Sequence, residues 1–600
     1  MKSFLKVFVA ALVGVLAGFL IVSVVSFAMI GGMIGSMNNS STFVLKDKAV
    51  LMIDLTGNLD ERKSDSPLNS LMGTTSTGVN DVLESVKKAK ENEKVKGIYL
   101  KCRDLSAGLA TLESLRKALV DFKESGKFVV AYSDSYSQST YYLASVSDRI
   151  MLNPKGSLDF YGMGVQMQFA RGMYEKMGVK FQVFKVGTFK SAVEPFIQDK
   201  MSDANREQYQ SFMNDVWSHW LDNISESRNI PVETLNAYAD KFLGFYEADS
   251  IVEFGMVDTL VYATGIENYL KELTGTDSDA KLNLASVKNM YSVEGEKKKK
   301  SKNEIAVLYA EGAIVMNDAN QSFLSGSMIA ARKYITELKK LKENKDIKAV
   351  VFRINSPGGS AYASEQIWNA IEELKAEKPV IVSMGDYAAS GGYYIACGAT
   401  SIVAEPTTLT GSIGIFGLIP EGEELAKKMG VTFDEVGTNK HSGFGGQVFG
   451  IPFIVSAYSR AFTSEETQIL QDYIERGYDL FITRCADGRS KTKEEIDTIG
   501  QGRVWTGNQA LAHGLVDKLG GLEDAVQIAV EAAGLSDYVV KDYPKKEDFM
   551  EQLLKGSMGG ASMKAAKFLM GEEEYAQQKL VQTLKNTEIC VAEMPERISF

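Results

Sequence analysis

The chain has few of the residues that most often build compact catalytic or metal-binding sites. Among its 600 residues there are three histidines and four cysteines. These are His219, His441, His513, Cys102, Cys397, Cys485 and Cys590. The cysteines stand at no metal-ligand spacing and are too few for a disulfide scaffold, which excludes a zinc ribbon and a disulfide-rich domain but leaves their redox state open. Eleven prolines also exclude Pro-rich linkers.

The chain also has no excess of positive charge. Lys and Arg together number 66 and Asp and Glu 77, giving a net charge of −11, so we do not expect the protein to bind a nucleic-acid backbone. Apolar residues make up 45% and charged residues 24% of the chain, as in ordinary folded proteins. This composition excludes a mostly disordered chain and a polytopic membrane protein. At roughly 150 residues per domain, the length predicts several domains.

The one long apolar run lies at the N-terminus. Residues 7–30 carry no charge, and a helix over them would span about 36 Å, which is enough to cross a hydrocarbon core of about 30 Å. Lys2 and Lys6 precede the run and the next charge is Lys46, which favours a cytoplasmic N-terminus and a body outside the cytoplasm. A cleaved signal peptide is the alternative, but its apolar region would be unusually long. We therefore predict a single uncleaved anchor within residues 1–45.

Internal similarity predicts that the rest of the chain is a tandem duplication. Six short segments of the first half recur in the same order in the second half. The matched segments are 48–55 and 303–310, 95–101 and 347–353, 141–144 and 393–396, 177–179 and 429–431, 185–190 and 435–440, and 255–258 and 514–517. The predicted units are a first repeat over 46–295, a charged linker over 296–303, a second repeat over 304–555, and a C-terminal helix and tail over 556–600.

Each copy shows the pattern of an α/β unit. The β-branched runs at 348–354 and 379–383 predict strands. Residues 364–376 predict a helix with Ile367, Ile371 and Leu374 on one face. Because strands and helices alternate, we expect a largely parallel sheet in each copy.

The strongest chemical signal is a glycine-rich turn and a serine, both in the second copy. Residues 355–359 (NSPGG) follow a predicted strand, and adjacent glycines let a backbone turn its N–H groups toward an anionic oxygen. Ser390 precedes two glycines and a stretch compatible with a helix, whose dipole favours a nucleophile at its start. The N–H groups of Gly359 and Gly391 would then form an oxyanion hole. The structural alternative is that Ser390 only caps a helix.

The first copy provides an internal control for this interpretation. It has residues 102–105 (CRDL) where the second copy has the glycine-rich turn. It has residues 138–140 (QST) where the second copy has Ser390 and its two glycines. The flanking scaffold residues occur in both copies, whereas the candidate catalytic residues occur in one. Packing requirements alone do not predict that difference, so we favour Ser390 as a nucleophile.

A serine nucleophile needs a base, and histidine is a poor candidate for it here. None of the three histidines falls in the duplicated core beside an acidic residue. The remaining candidates are Lys190 of the first copy and Lys440 at the matching position of the second. A lysine base must be neutral, so its pKa of about 10.4 has to fall by about 3 units, a cost near 4 kcal/mol. Burial lowers a lysine pKa in this way, and we expect the base to be buried beside Ser390 with few acidic neighbours.

Five motifs together carry a resemblance to a known family. They are residues 190–196 (KSAVEPF), 355–359 (NSPGG), 389–394 (ASGGYY), 409–414 (LTGSIG) and 502–507 (GRVWTG). With its apolar N-terminus and two copies, the chain resembles the long, duplicated form of the signal peptide peptidase A (protease IV) family. Members of this family are membrane-anchored bacterial serine–lysine peptidases. The NSPGG turn also resembles that of the Clp protease subunit, which implies the wider crotonase-like α/β fold for each copy.

The resemblance implies a role for each candidate residue. In the long form the serine comes from the second half and the lysine from the first, which implies Ser390 as the nucleophile and Lys190 as the general base and acid. Half-length relatives carry both residues in one domain, at the spacing that separates Ser390 from Lys440, so Lys440 stays an alternative base.

Further site residues and the absence of a cofactor also follow from the resemblance. It implies Gly359 and Gly391 as the oxyanion hole. Ser412, in the LTGSIG motif, is a candidate to hydrogen-bond the lysine amine and orient it, although it could equally be a turn serine. No metal, nucleotide or organic cofactor is implied.

The expected substrates are signal peptides, degraded after their release from exported precursors. The resemblance further implies the bacterial inner membrane as the location, a periplasmic body and a homotetramer. Because signal peptides have apolar cores, we expect an apolar groove near the motifs. The candidate lining residues are Tyr387, Tyr393, Phe416, Leu418 and Ile419, of which Tyr393 is the most readily explained as core.

Two other functions fit part of the pattern. A crotonase-type enzyme could use the oxyanion turn on an acyl-CoA thioester, but this does not explain a body outside the cytoplasm. A non-enzymatic anchored scaffold could retain the residues as a vestige, and labelling of Ser390 by a serine-reactive phosphonate would count against it.

Overall fold

A computed structural model describes residues 43–62, 77–293, 301–317, 327–450 and 456–545, the backbone of residues 591–593, and the isolated positions Gly14 and Gly18. The predicted anchor, most of the predicted linker and the predicted C-terminal helix therefore lie outside the described residues. Within the described ranges, no helix combines the length and the apolar character needed to cross a membrane.

The first copy is built around one parallel sheet. Its strands are β1 Ala49–Asp60, β2 Thr77–Gly78, β3 Val95–Ser106, β4 Phe128–Tyr136, β5 Arg149–Leu158, β6 Lys180–Lys185, β7 Thr259–Leu260 and β8 Leu284–Ser286. The sheet order is β2-β1-β3-β4-β5-β7, and β8 also pairs with β1. All of these pairings are parallel, as predicted from the strand–helix alternation. Strand β6 leaves this sheet and pairs with the second copy.

Helices cover the first sheet. They are α1 Val79–Glu91, α2 Leu109–Lys123, α3 Gln138–Ala144, α4 Arg171–Met177, α5 Glu194–Ile197, α6 Asp203–Arg228, α7 Val232–Ala239, α8 Ala248–Glu253, α9 Ala263–Thr274 and α10 Val287–Ser292, with a 3-10 turn at Leu243–Phe245. Apolar side chains of both sheet faces pack against these helices in two clusters.

The second copy repeats this architecture. Its strands are β9 Glu304–Glu311, β10 Ala313–Val315, β11 Met328–Ala330, β12 Ile347–Ser356, β13 Gly358–Ser360, β14 Val380–Ala389, β15 Ser401–Ala404, β16 Leu409–Gly411, β17 Phe416–Glu421, β18 Val448–Gly450, β19 Ser456–Tyr458, β20 Val504–Thr506, β21 Lys518–Leu519, β22 Val539–Tyr543 and β23 Val591–Glu593. Its helices are α11 Ala331–Glu343, α12 Ala361–Lys375, α13 Gly391–Tyr394, α14 Glu423–Lys428, α15 Ser464–Arg489, α16 Lys493–Ile499, α17 Gly507–Ala512 and α18 Leu522–Ala532.

The central sheet of the second copy has the order β20-β16-β14-β12-β9-β22, with β15 and β21 beside β14. It is parallel except for the β16–β20 pair. The predicted strand 348–354 falls within β12, and the predicted strand 379–383 overlaps β14, which begins one residue later. The predicted helix is α12, and its face of Ile367, Ile371 and Leu374 is fully buried in the core.

Equivalent hydrogen bonds in the two copies support the duplication. The Tyr141 hydroxyl donates to Met256 O at 2.8 Å, and the matching Tyr393 hydroxyl donates to Leu515 O at 2.9 Å. The next tyrosine in each copy donates to a glutamate of the preceding long helix. The prediction of a tandem α/β duplication is therefore confirmed.

A third sheet joins the two copies. Its order is β11-β10-β13-β23-β17-β19-β18, and β6 of the first copy pairs with β17 of the second. The β6–β17 pairing is antiparallel and runs from Lys180 opposite Glu421 to Lys185 opposite Phe416. Because β6 leads directly to Lys190, this pairing delivers a side chain of the first copy into the second.

Candidate active site

Ser390 lies at the junction between β14 and α13 in a strained backbone conformation. Its φ of 54° and ψ of −115° are unusual for a residue with a side chain, and such strain is commonly kept at functional sites. Its N–H donates to Gly411 O at 2.8 Å, and its side chain makes no helix-cap hydrogen bond. The capping alternative is thus wrong, and the hydroxyl is available for another partner.

Lys190 provides that partner from the first copy. The Lys190 Nζ atom lies 2.7 Å from Ser390 Oγ, and both residues are fully buried. The same nitrogen lies 3.0 Å from Ser412 Oγ and 3.2 Å from Ser412 O. The structure therefore brings together the three residues Ser390, Lys190 and Ser412, which the motifs singled out.

These contacts suit a neutral lysine amine. A neutral amine has two N–H donors and one lone pair. The two N–H groups can be donated to Ser412 O and Ser412 Oγ, which leaves the lone pair facing the Ser390 hydroxyl. This arrangement can take a proton from Ser390 without moving any heavy atom.

Ser412 is itself held in a strained turn. Its φ is 49°, and its N–H donates to Arg503 O at 2.7 Å. Neighbouring Gly502 donates its N–H to Ile413 O at 2.8 Å. A Cβ atom on Gly502 would lie 2.6 Å from Lys190 N, so only glycine lets the two backbones approach this closely. The GRVWTG motif thus lies between the lysine loop and Ser412.

The sequence analysis missed Gln208, a buried residue of α6 that supports the lysine loop. Its Nε2 donates to Phe189 O at 3.1 Å and to Ser191 Oγ at 2.9 Å, on either side of Lys190. Its Oε1 accepts from Val504 N of the second copy at 3.3 Å. Nothing local in the sequence marks this residue, because its partners are distant along the chain.

Glu194 of the KSAVEPF motif fixes the other end of the lysine loop. Its carboxylate accepts from Ser202 N at 3.1 Å, from Ser202 Oγ at 2.5 Å and from Asn205 Nδ2 at 3.0 Å. Ser202 also caps α6 through its side chain. The motif is therefore a loop that is tied down on both sides of Lys190.

The glycine-rich turn packs directly against the helix that follows Ser390. A Cβ atom on Gly392 would lie 2.7 Å from Ser356 O, and one on Gly359 would lie 2.2 Å from Ile314 O. Glycine is required at both positions because the backbones are in contact. Gly359 lies in β13 and Gly391 begins α13, and these two elements are neighbours, but the oxyanion hole itself stays a prediction.

A strand already lies beside this turn. The backbone of β23 is antiparallel to β13, with Ala592 opposite Gly359, and antiparallel to β17, with Val591 opposite Phe416. It therefore fills the gap between two strand edges next to the candidate nucleophile.

The expected lining of the groove is corrected in part. Tyr393 is fully buried and bonded to Leu515 O, so it is a core residue and lines nothing. Phe416 and Ile419 are also buried, and Ile419 belongs to the apolar core of the second copy. Tyr387 and Leu418 are half-buried, and their place in the lining of the groove stays a prediction.

Lys440 and the histidines lie elsewhere. The Lys440 side chain is 71% exposed and forms an ion pair with Glu465. His441 faces the same glutamate, His513 packs on Trp505, and His219 contacts Glu113 in the first copy. The structure therefore brings none of these residues to Ser390.

The matching place in the first copy holds Gln138 instead of a serine. The Gln138 Oε1 atom accepts from Tyr161 N and Gly162 N, both at 3.0 Å, and its Nε2 donates to Gly162 O at 3.0 Å. Gly162 corresponds to Gly414, the residue whose carbonyl lies 3.5 Å from Ser390 Oγ. At the position that Ser390 holds in the second copy, the first copy therefore has the Gln138 amide, which hydrogen-bonds the backbone of that copy.

Charged groups join the two copies next to the site. Arg353 and Glu61 form a buried ion pair with Nη2 and Oε1 2.6 Å apart. Asp386, on the strand that ends immediately before Ser390, accepts from Thr111 N at 2.8 Å and from Thr111 Oγ1 at 3.0 Å. Asp386 thereby caps the N-terminus of α2. The N-cap residue of that helix is Gly108, which has no side chain that could accept these hydrogen bonds. Burial raises the pKa of the Asp386 carboxyl.

Glu405 makes a second contact of this kind. It accepts from Ser114 Oγ of the first copy at 2.7 Å, and burial raises its pKa to about 7. The buried carboxylates of Asp386 and Glu405 therefore link the packing of the two copies to the position of the strand that leads to Ser390.

Two parallel α/β units with a strained, buried serine against a lysine amine define a serine hydrolase without a histidine base. Comparison with known proteins agrees: residues 121–277 and 372–536 match Peptidase family S49, and residues 296–408 match Clp protease. The chain belongs to Peptidase family S49 and is a serine peptidase.

Relatives match over most of the chain. It is 34% identical to Protease 4 of Salmonella typhi over 543 residues, covering 88% of this chain and 85% of that protein. Protease 4 of Haemophilus influenzae is also 34% identical, over 87% of this chain and 84% of its own length. The chloroplastic serine protease SPPA of Arabidopsis thaliana is 33% identical over 75% of this chain and 65% of its own length.

Proposed function

We propose that this protein is a membrane-anchored endopeptidase that uses a Ser390–Lys190 dyad to degrade signal peptides after protein export. The observation that carries the proposal is the 2.7 Å approach of Lys190 Nζ to Ser390 Oγ in a fully buried setting. Membership of Peptidase family S49 supports the peptidase chemistry.

Acylation begins with the neutral amine of Lys190. Its lone pair takes the proton of the Ser390 hydroxyl while Ser390 Oγ attacks the peptide carbonyl. Ser412 holds the two remaining N–H groups, so the amine cannot rotate away. The resulting ammonium then gives a proton to the leaving amine, and water repeats the sequence to release the acyl group.

Two backbone N–H groups stabilise the tetrahedral intermediate. Gly359 and Gly391 supply them, one from the glycine-rich turn and one from the start of α13. Such preorganised donors usually contribute about 2.7–4 kcal/mol each to transition-state stabilisation. Because they are main-chain groups held by close packing, they need no reorganisation during the reaction.

The substrate binds as an added strand in the place that β23 of the chain itself occupies in this structure, which requires β23 to leave the gap. The gap between β13 and β17 presents main-chain groups, and the position of β23 supports an antiparallel peptide there. Main-chain pairing gives affinity without demanding a particular sequence, whereas Tyr387 and Leu418 favour apolar side chains. An extended apolar peptide, such as a released signal peptide, fits these requirements.

The apolar run at residues 7–30 supports an anchor in the inner membrane, and Lys2 and Lys6 before it support a periplasmic body. This location would place the site where signal peptides are released. A homotetramer, implied by the family resemblance, remains a prediction.

Cleavage of a synthetic signal peptide tests the proposal. The detergent-solubilised full chain should cut a signal peptide with about 10-fold or higher kcat/KM than a peptide of equal length whose apolar core is replaced by Ser and Gln. Ser390→Ala serves as the inactive control. Equal cleavage of both peptides would contradict the proposed substrate class, and no cleavage of either would contradict the peptidase assignment.

Replacing Gln208 should slow catalysis without weakening substrate binding. Gln208→Leu keeps the size of the side chain but leaves Phe189 O, Ser191 Oγ and Val504 N without their partner. Small displacements of a catalytic group can cost about 100-fold in rate, so we expect kcat to fall by about 10- to 100-fold while KM stays unchanged.

The neighbouring Gln210 provides a matched control. It is exposed on the same helix, and its side-chain amide donates a hydrogen bond to Asn214 Oδ1. Gln210→Leu should retain wild-type kcat. Full activity of Gln208→Leu, measured by steady-state peptide hydrolysis, would show that Lys190 is positioned without this residue.

A further inference from the structure

A short helix packs against a long helix at the same place in each copy. In the first copy this junction joins α3 to α6, and in the second it joins α13 to α15. A close ring pair marks both junctions. The ring centroids of Tyr142 and Trp220 are 4.5 Å apart, and those of Tyr394 and Phe481 are 4.4 Å apart. The two junctions are therefore equivalent, and their other residues can be compared position by position.

In the first copy one buried arginine fastens the junction. Arg116 of α2 donates from Nη1 to Tyr142 O at 2.6 Å and to Ser145 Oγ at 2.8 Å, at the end of α3. Its Nη2 donates to Asn223 O at 2.7 Å and to Ser227 Oγ at 2.6 Å, both on α6. These hydrogen bonds tie the end of the short helix to the long helix.

In the second copy a tryptophan takes the place of this arginine. The equivalent helices α2 and α12 each contain 15 residues, and Trp368 stands in α12 where Arg116 stands in α2. Among the described residues, nothing accepts a hydrogen bond from the buried Trp368 Nε1. Trp368 therefore does not replace the polar bridge that Arg116 makes in the first copy.

The first residue after α13 that faces this junction is a cysteine. Cys397 stands where the first copy has Ser145, because Tyr394 matches Tyr142 and the spacing from it is the same. The local hydrogen bond is also the same. Cys397 Sγ donates to Tyr394 O at 3.2 Å, and Ser145 Oγ donates to Tyr142 O at 2.9 Å.

The long helix brings a second cysteine to the same point. Helices α6 and α15 each contain 26 residues, and Cys485 stands in α15 where Ile224 stands in α6. The Cys485 thiol is hydrogen-bonded to the Cys397 thiol. The two backbones are also close, because a Cβ atom on Gly488, about one turn further along α15, would lie 2.2 Å from Cys397 O. Both cysteines are fully buried in the apolar core of the second copy.

We propose that Cys397 and Cys485 form a disulfide that fastens α13 to α15. In this structure both side chains are thiols. A disulfide needs two Cβ atoms that face each other across closely spaced backbones, and the contact between the thiols beside Gly488 provides this arrangement. The bond would supply in the second copy the link that Arg116 supplies in the first.

Formation of the bond needs an oxidant, which we take to be a protein or small-molecule disulfide. A thiolate of one cysteine attacks that disulfide and releases one thiol, and the second cysteine then attacks the mixed disulfide and releases the other. The two cysteines lose two electrons and two protons, and the oxidant is reduced to two thiols. Neither cysteine is accessible in the folded chain, so the exchange takes place during folding.

The proposed location outside the cytoplasm supplies such oxidants, since disulfides form and persist in oxidising compartments. The bond itself does not require peptidase activity. Its test can therefore fail while the proposed peptidase function stands, and the reverse also holds.

Thiol trapping in the full chain tests the disulfide. The wild-type chain is expressed with its N-terminal apolar run, and the isolated membranes are denatured directly in N-ethylmaleimide, which alkylates every free thiol. Peptide mass spectrometry then reads each cysteine. Cys397 and Cys485 should appear in one cross-linked pair of peptides and should become alkylated only after reduction with dithiothreitol.

Cys102 is the matched control. It is as deeply buried as the pair, but its thiol contacts Thr140 O at 3.9 Å in the first copy. It should be alkylated without reduction. Alkylation of both Cys397 and Cys485 before reduction would overturn the proposal, and so would a bond from either of them to a different cysteine.

The thermal midpoint of unfolding gives a second readout. Cross-linking distant residues stabilises a fold, so the wild-type chain grown and purified in dithiothreitol should melt at least about 5 °C below the same chain prepared without it. Cys397→Ser cannot form the bond and places there the residue type that the first copy has in Ser145. This variant should melt at one temperature under both conditions. An equal midpoint for the two wild-type preparations would contradict the proposed link.

Discussion

Lys190→Met should abolish peptide hydrolysis while leaving the fold intact. Methionine fills the buried space of the lysine but cannot accept the Ser390 proton, so we expect kcat to fall by about 10³-fold or more. Ser390→Ala should lose at least as much. Because the two residues act as a unit, the double variant should be no slower than Ser390→Ala alone, within about a factor of two. Steady-state hydrolysis of one fluorogenic peptide measures all three.

Lys440→Met is the matched control for this experiment. Lys440 stands at the same place in the second repeat but is exposed and paired with Glu465. It should keep wild-type kcat. The opposite pattern, with Lys190→Met active and Lys440→Met inactive, would mean that the second copy works alone and that the first is scaffold.

Arg353→Met should strongly destabilise the docked pair of copies. The substitution leaves Glu61 buried without its cation, and removing one partner of a buried ion pair typically costs about 3–5 kcal/mol. Arg353 also helps to hold down the pKa values of Asp386 and Glu405. We expect a correspondingly lower denaturation midpoint at pH 8, followed by tryptophan fluorescence. Arg332→Met, at an exposed position on α11, should leave the midpoint unchanged.

The loss should depend on pH in a defined direction. Burial holds the pKa of Glu405 near 7 in the folded protein, against about 4.3 for an unperturbed glutamate. Between these values the folded state binds more protons than the unfolded state, so the free energy of unfolding falls as pH rises. Without Arg353 the carboxyl pKa values rise further, and the variant should recover part of its stability at pH 5. Equal loss at pH 5 and pH 8 would contradict this account of the charged contacts.

Much of the architecture could be predicted from local patterns. The β-branched runs of the strands and the apolar face of α12 are patterns among residues that are close in sequence. The duplication is visible as repeated segments. The choice of Lys190 over Lys440 needed the longer motif around Lys190. That motif is intact because its residues are packed, as the three hydrogen bonds to the Glu194 carboxylate show.

The parts that could not be predicted depend on contacts between distant residues. Gln208 looks like any polar helix residue, yet it bridges the lysine loop and the second copy. Asp386 caps a helix of the other copy, and no sequence spacing reveals that. Phe416 and Ile419 were expected to line the groove, but both are buried in the fold, Ile419 within the apolar core of the second copy.

Covalent labelling of Ser390 as a function of pH tests most directly the claim that the first copy supplies the base for the second. The measurement is the rate at which a peptidyl phosphonate modifies Ser390, read by mass spectrometry of the full chain. In the wild type and in Lys440→Met, this rate should rise with pH as the lysine amine loses its proton. In Lys190→Met, labelling should be slower by about 100-fold or more and should lack that rise. Wild-type labelling of Lys190→Met would contradict the cross-copy dyad.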